Sequence, residues 1–216
     1  MKILVGIPSL NDKDRYHGYL GSTLKHVGEA LEGVEHEVFV TPPTHLDGWG
    51  GLVERQNVIL DKFLQGDHDY LWHVELDVQV PRDSFDKLLA LDVDLACGYV
   101  RRHNGEGLIL GFLDENMRVW YLPLNAVEGN VLSGWVMAGT SCVLIKRRVF
   151  EDGLRFRYDP HVTPDILFMF DVQRRGFVAK VHGGVLCGHL PEWSLPEPSM
   201  LHVGATRACE KGQGGF

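Results

Sequence analysis

The sequence predicts an α/β fold, in which a single domain has a mixed, mainly parallel central sheet flanked by helices. Short apolar runs typical of buried strands alternate with amphipathic segments over the first hundred residues, and a hairpin pattern follows them. With 216 residues, 44% of them hydrophobic, the chain has the size and composition of one domain with a sizeable core. No internal repeat or linker divides it.

The first half of the chain follows a β-α-β-α order. Short apolar runs predict strands at residues 3–7, 37–40, 70–74 and 94–100. Helical spacing of apolar residues predicts helices at 19–31 and 52–64, and a third from Pro81 to residue 89. The start at Pro81 is expected because proline is favoured at the first position of a helix.

After residue 107 the pattern changes to that of a mixed sheet. A hairpin is predicted from residues 108–113 and 117–122, around the turn at 114–116. Further elements are a strand at 136–145, a helix at 164–175 ended by Gly176, and a strand at 177–181. Residues 191–216 are rich in proline and glycine, so we expect a domain of residues 1–190 followed by a flexible tail or lid.

The composition excludes several classes of partner. The chain has 29 acidic and 21 basic side chains and a formal net charge of −8, and no run of Lys or Arg could follow a nucleic-acid backbone. No apolar stretch reaches the roughly 18 residues of a membrane helix, and the N-terminus does not resemble a signal peptide. We therefore expect a cytoplasmic protein with no membrane span and no nucleic-acid partner.

Two carboxylates follow the predicted strand at 70–74. Glu75 and Asp77 lie at the carboxyl end of this strand, and open α/β sheets bind their ligands at that edge. Carboxylates there can hold a hard divalent cation such as Mg²⁺ or Mn²⁺, which completes its shell with phosphate oxygens and water. Two acids at this spacing also fit an ordinary surface pair at the end of a strand.

Six segments, in order, resemble glycosyltransferase family 2 and its relatives with the GT-A fold, a Rossmann-like domain that binds nucleotide sugars. WHVELDVQVP resembles their DxD-bearing stretch, and RQNVILDKF resembles the Arg-x-Asn helix before it. The strand after DxD is matched by DLACGYVRR, and the acceptor-side strand by AGTSCVLIKRRVFEDGLRF. PDILFMFDVQRRGF resembles the "ED" helix, and CGHL the closing metal-binding histidine.

The resemblance implies a metal-dependent glycosyltransferase that inverts the anomeric centre. The donor would be a nucleoside-diphosphate sugar of the UDP or GDP type, and a hydroxyl acceptor, on a glycan or a small molecule, would receive the sugar. Mn²⁺ or Mg²⁺ would be held by Asp77 and His189 with Glu75, and Asp165 would be the general base. Glu75 stands where the family has its first Asp, and Pro164 where it has the Glu of "ED".

The same resemblance implies a set of donor-binding residues. They are Pro8, Ser9 and Asp12 in the loop after the first strand, Arg55 and Asn57 on the following helix, Glu75, Asp77, and Arg101. Arg101 ends a strand at the same sheet edge, where its guanidinium could reach a phosphate. Exposed aromatic rings can stack on the C–H faces of sugars, and the candidates are Trp49, Trp120, Trp135 and Trp193.

Other kinds of protein fit parts of the same pattern. His73, Glu75 and His189 also match the two-histidine, one-carboxylate triad of a non-haem iron oxygenase, although that triad is common on all-β folds. A zinc deaminase would need a P-C-x-x-C partner that the sequence lacks. A nucleotidyltransferase or a non-catalytic sugar-nucleotide-binding protein on the same fold remains open.

Overall fold

The computed structural model describes residues 1–9, 13–46, 48–101 and 107–190, with backbone alone for 13–17. The predicted tail at 191–216, with Trp193, therefore lies outside the described residues, as does Asp12. In the described part, no helix is long and apolar enough to cross a membrane.

Strands and helices alternate through the first half of the chain, as the sequence predicts. The strands are β1 (Ile3–Ile7), β2 (His36–Val40), β3 (Tyr70–Val74), β4 (Val78–Gln79), β5 (Leu95–Val100), β6 (Gly111–Leu113), β7 (Val119–Tyr121), β8 (Val131–Ser133), β9 (Val136–Met137), β10 (Cys142–Lys146) and β11 (Ala179–His189). The helices are α1 (Lys13–Ala30), α2 (Gly48–Gln65), α3 (Ser84–Leu89), α4 (Arg148–Glu151) and α5 (Pro164–Arg174).

Eight of the described strands form one mixed sheet, which confirms the predicted fold class. Its order is β2-β1-β3-β10-β5-β11-β4, and β8 pairs with β11. The pairings β1–β2, β1–β3 and β5–β11 are parallel, whereas β10 is antiparallel to both β3 and β5. Five strands thus run in one direction, namely β1, β2, β3, β5 and β11. The predicted hairpin is β6–β7, which joins β9 in a separate three-stranded sheet.

Helices cover both faces of the sheet. Alternate residues of each strand point to opposite faces and therefore pack against different helices. In β3, Trp72 belongs to the same apolar cluster as Phe85 of α3, whereas Leu71 belongs to the cluster with Phe63 of α2. The helix α2 approaches β1 closely, since a β-carbon on Gly6 would lie 2.3 Å from Cγ2 of Ile59. A side chain at position 6 would therefore push α2 away from the sheet.

Several boundaries differ from the prediction, and the helices α1 and α2 begin at Lys13 and Gly48, before their predicted starts at residues 19 and 52. Residues 136–145 form two strands, β9 and β10, because Gly139 adopts a φ of +66° between them. Helix α3 begins at Ser84 and Pro81 lies before it, accepting a hydrogen bond from the Ser84 N–H through its carbonyl. The last strand is Ala179–His189, longer than predicted, because it continues through a register shift between Val181 and Leu186.

The sheet topology brings several chain segments to the end of the sheet at which its parallel strands stop, which we call the ligand-binding edge. The parallel strands β3 and β5 end there, β11 ends there at His189, and the antiparallel strand β10 begins there. The register places Cys142 beside Val74, so the segment before β10 lies next to the segment after β3. This edge is where an open α/β sheet binds ligands.

Candidate metal and catalytic site

Three potential metal ligands meet at this edge of the sheet. Ligand atoms of Glu75, Asp77 and His189 all lie within 4.8 Å of one another. Atoms bound at about 2.1 Å to one ion are separated by up to roughly twice that distance, so the spacing is near what a shared cation requires. Two carboxylates and an imidazole suit a divalent ion of the Mg²⁺, Mn²⁺ or first-row transition-metal type.

A short strand that the sequence did not predict brings Asp77 to His189. After β3 the chain turns through a hydrogen bond from the Val78 N–H to the Glu75 carbonyl, 3.1 Å long. It then enters β4, which pairs antiparallel with the end of β11 and places His189 opposite Val78. The Leu190 N–H donates to the Asp77 carbonyl at 2.9 Å, which fastens the two ligand-bearing segments together.

The hydrogen bonding of His189 leaves its other nitrogen directed at the carboxylates. Its Nδ1 lies 2.7 Å from the carbonyl oxygen of Arg101, which can only accept, so Nδ1 carries the hydrogen. In the neutral ring, Nε2 then has a lone pair, and it lies 3.7 Å from Asp77 Oδ2. A cation bound by both Nε2 and Oδ2 would fit this distance, and a backbone carbonyl commonly orients a metal-binding histidine through its other nitrogen.

The carboxyl of Glu75 is held in place by a serine. The Ser141 hydroxyl donates to Glu75 Oε2 at 2.7 Å, and the Glu75 N–H donates to the Ser141 carbonyl at 3.0 Å. Burial raises the pKa of Glu75 to about 8, with further increases from the charges of Asp77 and Asp165 and an opposing effect of the Ser141 hydrogen bond. Two more negative groups near a buried carboxyl are what a bound cation would neutralise.

This raised pKa predicts a pH dependence of stability in the metal-free protein. The folded-state pKa of Glu75, about 8, lies above the ordinary value of 4.5, so the folded state binds this proton more tightly than the unfolded state. Its contribution to the free energy of unfolding is complete below pH 4.5 and is lost as the pH rises through 8. Urea denaturation in chelator between about pH 5.5 and 8.5 measures the slope. Glu75→Gln should remove it, and an unchanged slope in that variant would contradict the assignment.

Asp165 lies beside the same site, in the first turn of α5. One oxygen, Oδ1, accepts hydrogen bonds from the Thr163 hydroxyl and from the Ile166 N–H, the latter at 2.9 Å. The other, Oδ2, would lie 3.4 Å from a β-carbon on Gly139, and Ser141 Oγ would lie 3.8 Å from the same point. One oxygen of Asp165 is therefore bonded to the first turn of α5 and to Thr163, and the other lies towards the segment that holds Glu75.

Residues 138–141, between β9 and β10, lie beside both Glu75 and Asp165, and we refer to them as the connecting loop. Besides the contacts of Ser141, Thr140 accepts a hydrogen bond from Gln56 Nε2 through Oγ1 at 3.2 Å. The carbonyl of Thr140 accepts another from His73 Nδ1 at 2.6 Å. Ser141, Thr140 and Gln56 were not predicted from the sequence, although a glycine inside a predicted strand, as at 136–145, is the usual signal of an irregular segment.

The structure contradicts the iron-oxygenase alternative. His73 is fully buried, its Nδ1 is occupied by the Thr140 carbonyl, and its ring lies 6.1 Å from that of Phe156. Burial lowers the pKa of His73 to about 4, so the ring is neutral at physiological pH. Among the described residues, the cluster of potential ligands has Asp77 as its third member rather than His73, because His73 faces the α2 side of the sheet.

The described residues among those predicted to bind the donor are buried or form hydrogen bonds with other residues of the protein. Pro8 and Ser9 are buried, and the Ser9 N–H donates to the Thr41 hydroxyl at 2.9 Å. Nη1 of Arg55 donates to Thr44 before α2, and the amide of Asn57 makes two hydrogen bonds with the backbone of Phe156. Arg101 contributes its carbonyl to His189. Nucleotide binding by these residues stays a prediction.

The described chain has a GT-A-like α/β fold. It aligns with the crystal structure of A197 from STIV at a TM-score of 0.60 and 17% identity, over 88% of this chain and 86% of that one. It also aligns with a fragment of TarS from S. aureus, crystallised with UDP, at a TM-score of 0.58 and 14% identity. A TarS structure with UDP-GlcNAc aligns at a TM-score of 0.55 and 14% identity.

The alignment with TarS covers most of this chain but only part of the TarS chain. The alignment covers 87% of this chain but 59% of the UDP-bound TarS fragment and 57% of the one with UDP-GlcNAc, so the chain spans less than two thirds of either. No protein-family model and no curated protein sequence matches the chain. Identities this low show a shared fold, and the function has to be argued from the site.

Proposed function

We propose that the protein is a metal-dependent glycosyltransferase related to glycosyltransferase family 2, which moves a sugar from a nucleoside-diphosphate-sugar donor to a hydroxyl acceptor. The observation that carries the proposal is the convergence of Glu75, Asp77 and His189 at the ligand-binding edge of a GT-A-like sheet, with Asp165 beside them. TarS, which has this fold, was crystallised with UDP and UDP-GlcNAc, so a UDP-type donor is the first to test, with GDP as the next.

Each side chain has a role in this proposal. Asp77 and His189 would hold Mn²⁺ or Mg²⁺, and Glu75 would complete the site or orient the donor. When bound, the cation would supply a positive charge that stabilises the departing diphosphate. Asp165, whose Oδ2 accepts no hydrogen bond from a described residue, would accept the proton of the acceptor hydroxyl as the inverting attack proceeds.

A calorimetric titration series tests this function. UDP-, GDP-, CDP- and dTDP-sugars are titrated into the protein with Mn²⁺, with Mg²⁺ and with EDTA. We expect one nucleotide class to bind in the presence of a cation and to lose most of its affinity in EDTA. Release of the nucleoside diphosphate on adding hydroxyl acceptors would then show transfer. Cation-dependent binding without any release would instead indicate a non-catalytic sugar-nucleotide-binding protein, and equal binding in EDTA would refute the metal-dependent site.

A further inference from the structure

An open groove lies between the start of α2 and the segment that leads into α5. It has a volume of about 700 Å³ and is lined by Leu46, Gly48, Trp49, Gly50 and Tyr158. We call it the aromatic groove. Trp49 is 40% exposed and Tyr158 57% exposed, so both rings present surface to solvent. Two partly exposed aromatic rings that line one groove form an apolar surface of the kind that can bind a ligand.

The two walls of the groove are held in a fixed relation. Asn57, two turns beyond Trp49 on α2, donates through Nδ2 to the Phe156 carbonyl at 2.9 Å and accepts from its N–H at 3.1 Å. The ring of Phe156 stacks on Phe168 of α5, with centroids 4.2 Å apart. Tyr158 follows two residues after this anchor. The aromatic pair is therefore supported before any ligand binds, which reduces the entropy lost on binding.

The same segment runs directly from the groove to Asp165. After Tyr158, Asp159 Oδ1 accepts hydrogen bonds from the N–H groups of His161 and Val162, at 2.7 and 3.2 Å. Thr163 then donates to Asp165. The segment that carries Tyr158 therefore leads along the chain to the carboxylate proposed to activate the acceptor.

The lining indicates the chemistry of the ligand. The five described residues that line the groove carry no charge, and two of them are glycines on either side of Trp49. These described residues offer no charged group to a phosphate or carboxylate, whereas neutral sugar rings present C–H faces that pack on aromatic rings. A wide groove exposed to solvent suits a chain of sugars better than a nucleotide base, which proteins usually enclose more fully.

We propose that the aromatic groove binds neutral sugar units of a glycan acceptor, with one ring packed on Trp49 and another on Tyr158. This inference rests on the proposed function, because it assigns the acceptor class of the same enzyme. It implies that a glycan several sugars long binds more tightly than a single sugar, since its terminal hydroxyl lies at Asp165 while the preceding units lie in the groove.

Binding of oligosaccharides without donor or metal tests the groove separately from transfer. Cello-, chito-, malto- and mannohexaose are titrated by calorimetry into the unaltered protein and into Trp49→Ala, Tyr158→Ala, Trp49→Phe and Tyr158→Phe. We expect one hexaose to bind, with affinity lowered about threefold to tenfold by each alanine and largely kept by each phenylalanine. Tyr121→Ala is the matched control, because Tyr121 is another exposed aromatic residue, 49% exposed on β7, and this variant should bind the hexaose normally.

The outcomes separate this inference from the proposed function. Hexaose binding that depends on Trp49 and Tyr158 would support the groove even if no nucleotide sugar binds the protein. The inference is overturned if none of the four hexaoses binds, or if the alanine variants bind the hexaose as well as the unaltered protein does. It is also overturned if Trp49→Ala weakens binding of UDP rather than of the hexaose, because the groove would then hold the nucleotide base.

Discussion

Replacing Asp77 with alanine is expected to abolish cation-dependent binding of the donor nucleotide. Asp77 is the proposed ligand whose carboxylate lies beside His189, with Oδ2 3.7 Å from Nε2, and its side chain is 19% exposed. Loss of a group that only orients a metal ligand typically lowers metal affinity about 10- to 100-fold, so loss of a ligand itself should cost more than about 100-fold. Calorimetric titration with Mn²⁺ and then with UDP measures the affinity for the cation and the affinity for the nucleotide separately.

The fold should survive this substitution. The charge of Asp77 raises the pKa of Glu75, so its removal relieves repulsion between two carboxylates in the metal-free protein. Thermal denaturation in EDTA should therefore show no loss of stability. Asp67→Ala is the matched control, because Asp67 pairs with Lys2 on an exposed surface before β3, at the other edge of the sheet. Metal-dependent nucleotide binding that persists in Asp77→Ala would remove Asp77 from the site.

The second large effect is expected from Asp165→Asn. Asparagine keeps the size of the side chain and can accept the hydrogen bonds from Thr163 and Ile166 in the first turn of α5, but it cannot take a proton. A general base typically contributes about 10²- to 10⁴-fold to the rate, so turnover should fall by about 10² or more while donor affinity stays nearly unchanged. The product of the unaltered enzyme should show inversion at the anomeric carbon.

A second asparagine variant separates chemistry from helix stability. Asp171→Asn lies on the same helix and removes the ion pair with Arg157, without altering the residues of the proposed site. Its turnover should remain close to that of the unaltered enzyme. A retained configuration in the product, or nearly full activity of Asp165→Asn, would leave Asp165 as a helix cap or an acceptor-binding residue and would favour a retaining mechanism.

The sequence predicted the layout of the sheet better than the assembly of the site. Buried strands such as β1 and β3 are recognisable because a short apolar run between two helical segments is typical of a strand inside an α/β sheet. The strand β4 has two residues, too few for any periodic signal, yet its pairing with β11 is what brings Asp77 to His189. An interaction between segments this distant in the chain is a property of the tertiary structure.

The polar contacts of the site could not be predicted from the sequence either. The connecting loop looked like the middle of one strand, and only the positive φ of Gly139 in the folded chain shows why it bends. Ser141 then becomes a partner of Glu75, and Thr140 one of His73 and Gln56. Single serines and threonines in apolar runs carry no distinctive pattern, so such contacts depend on packing that the sequence does not display.

The position of His189 at the end of β11 has a consequence for the order of events during synthesis. Glu75 and Asp77 leave the ribosome long before the last described strand, so His189 joins them only when β11 pairs with β5 and β4. A nascent chain therefore cannot complete the three-ligand set. Binding of a cation would stabilise the folded chain with its complete sheet more than any shorter nascent chain, since a ligand that binds only the native state stabilises it by mass action.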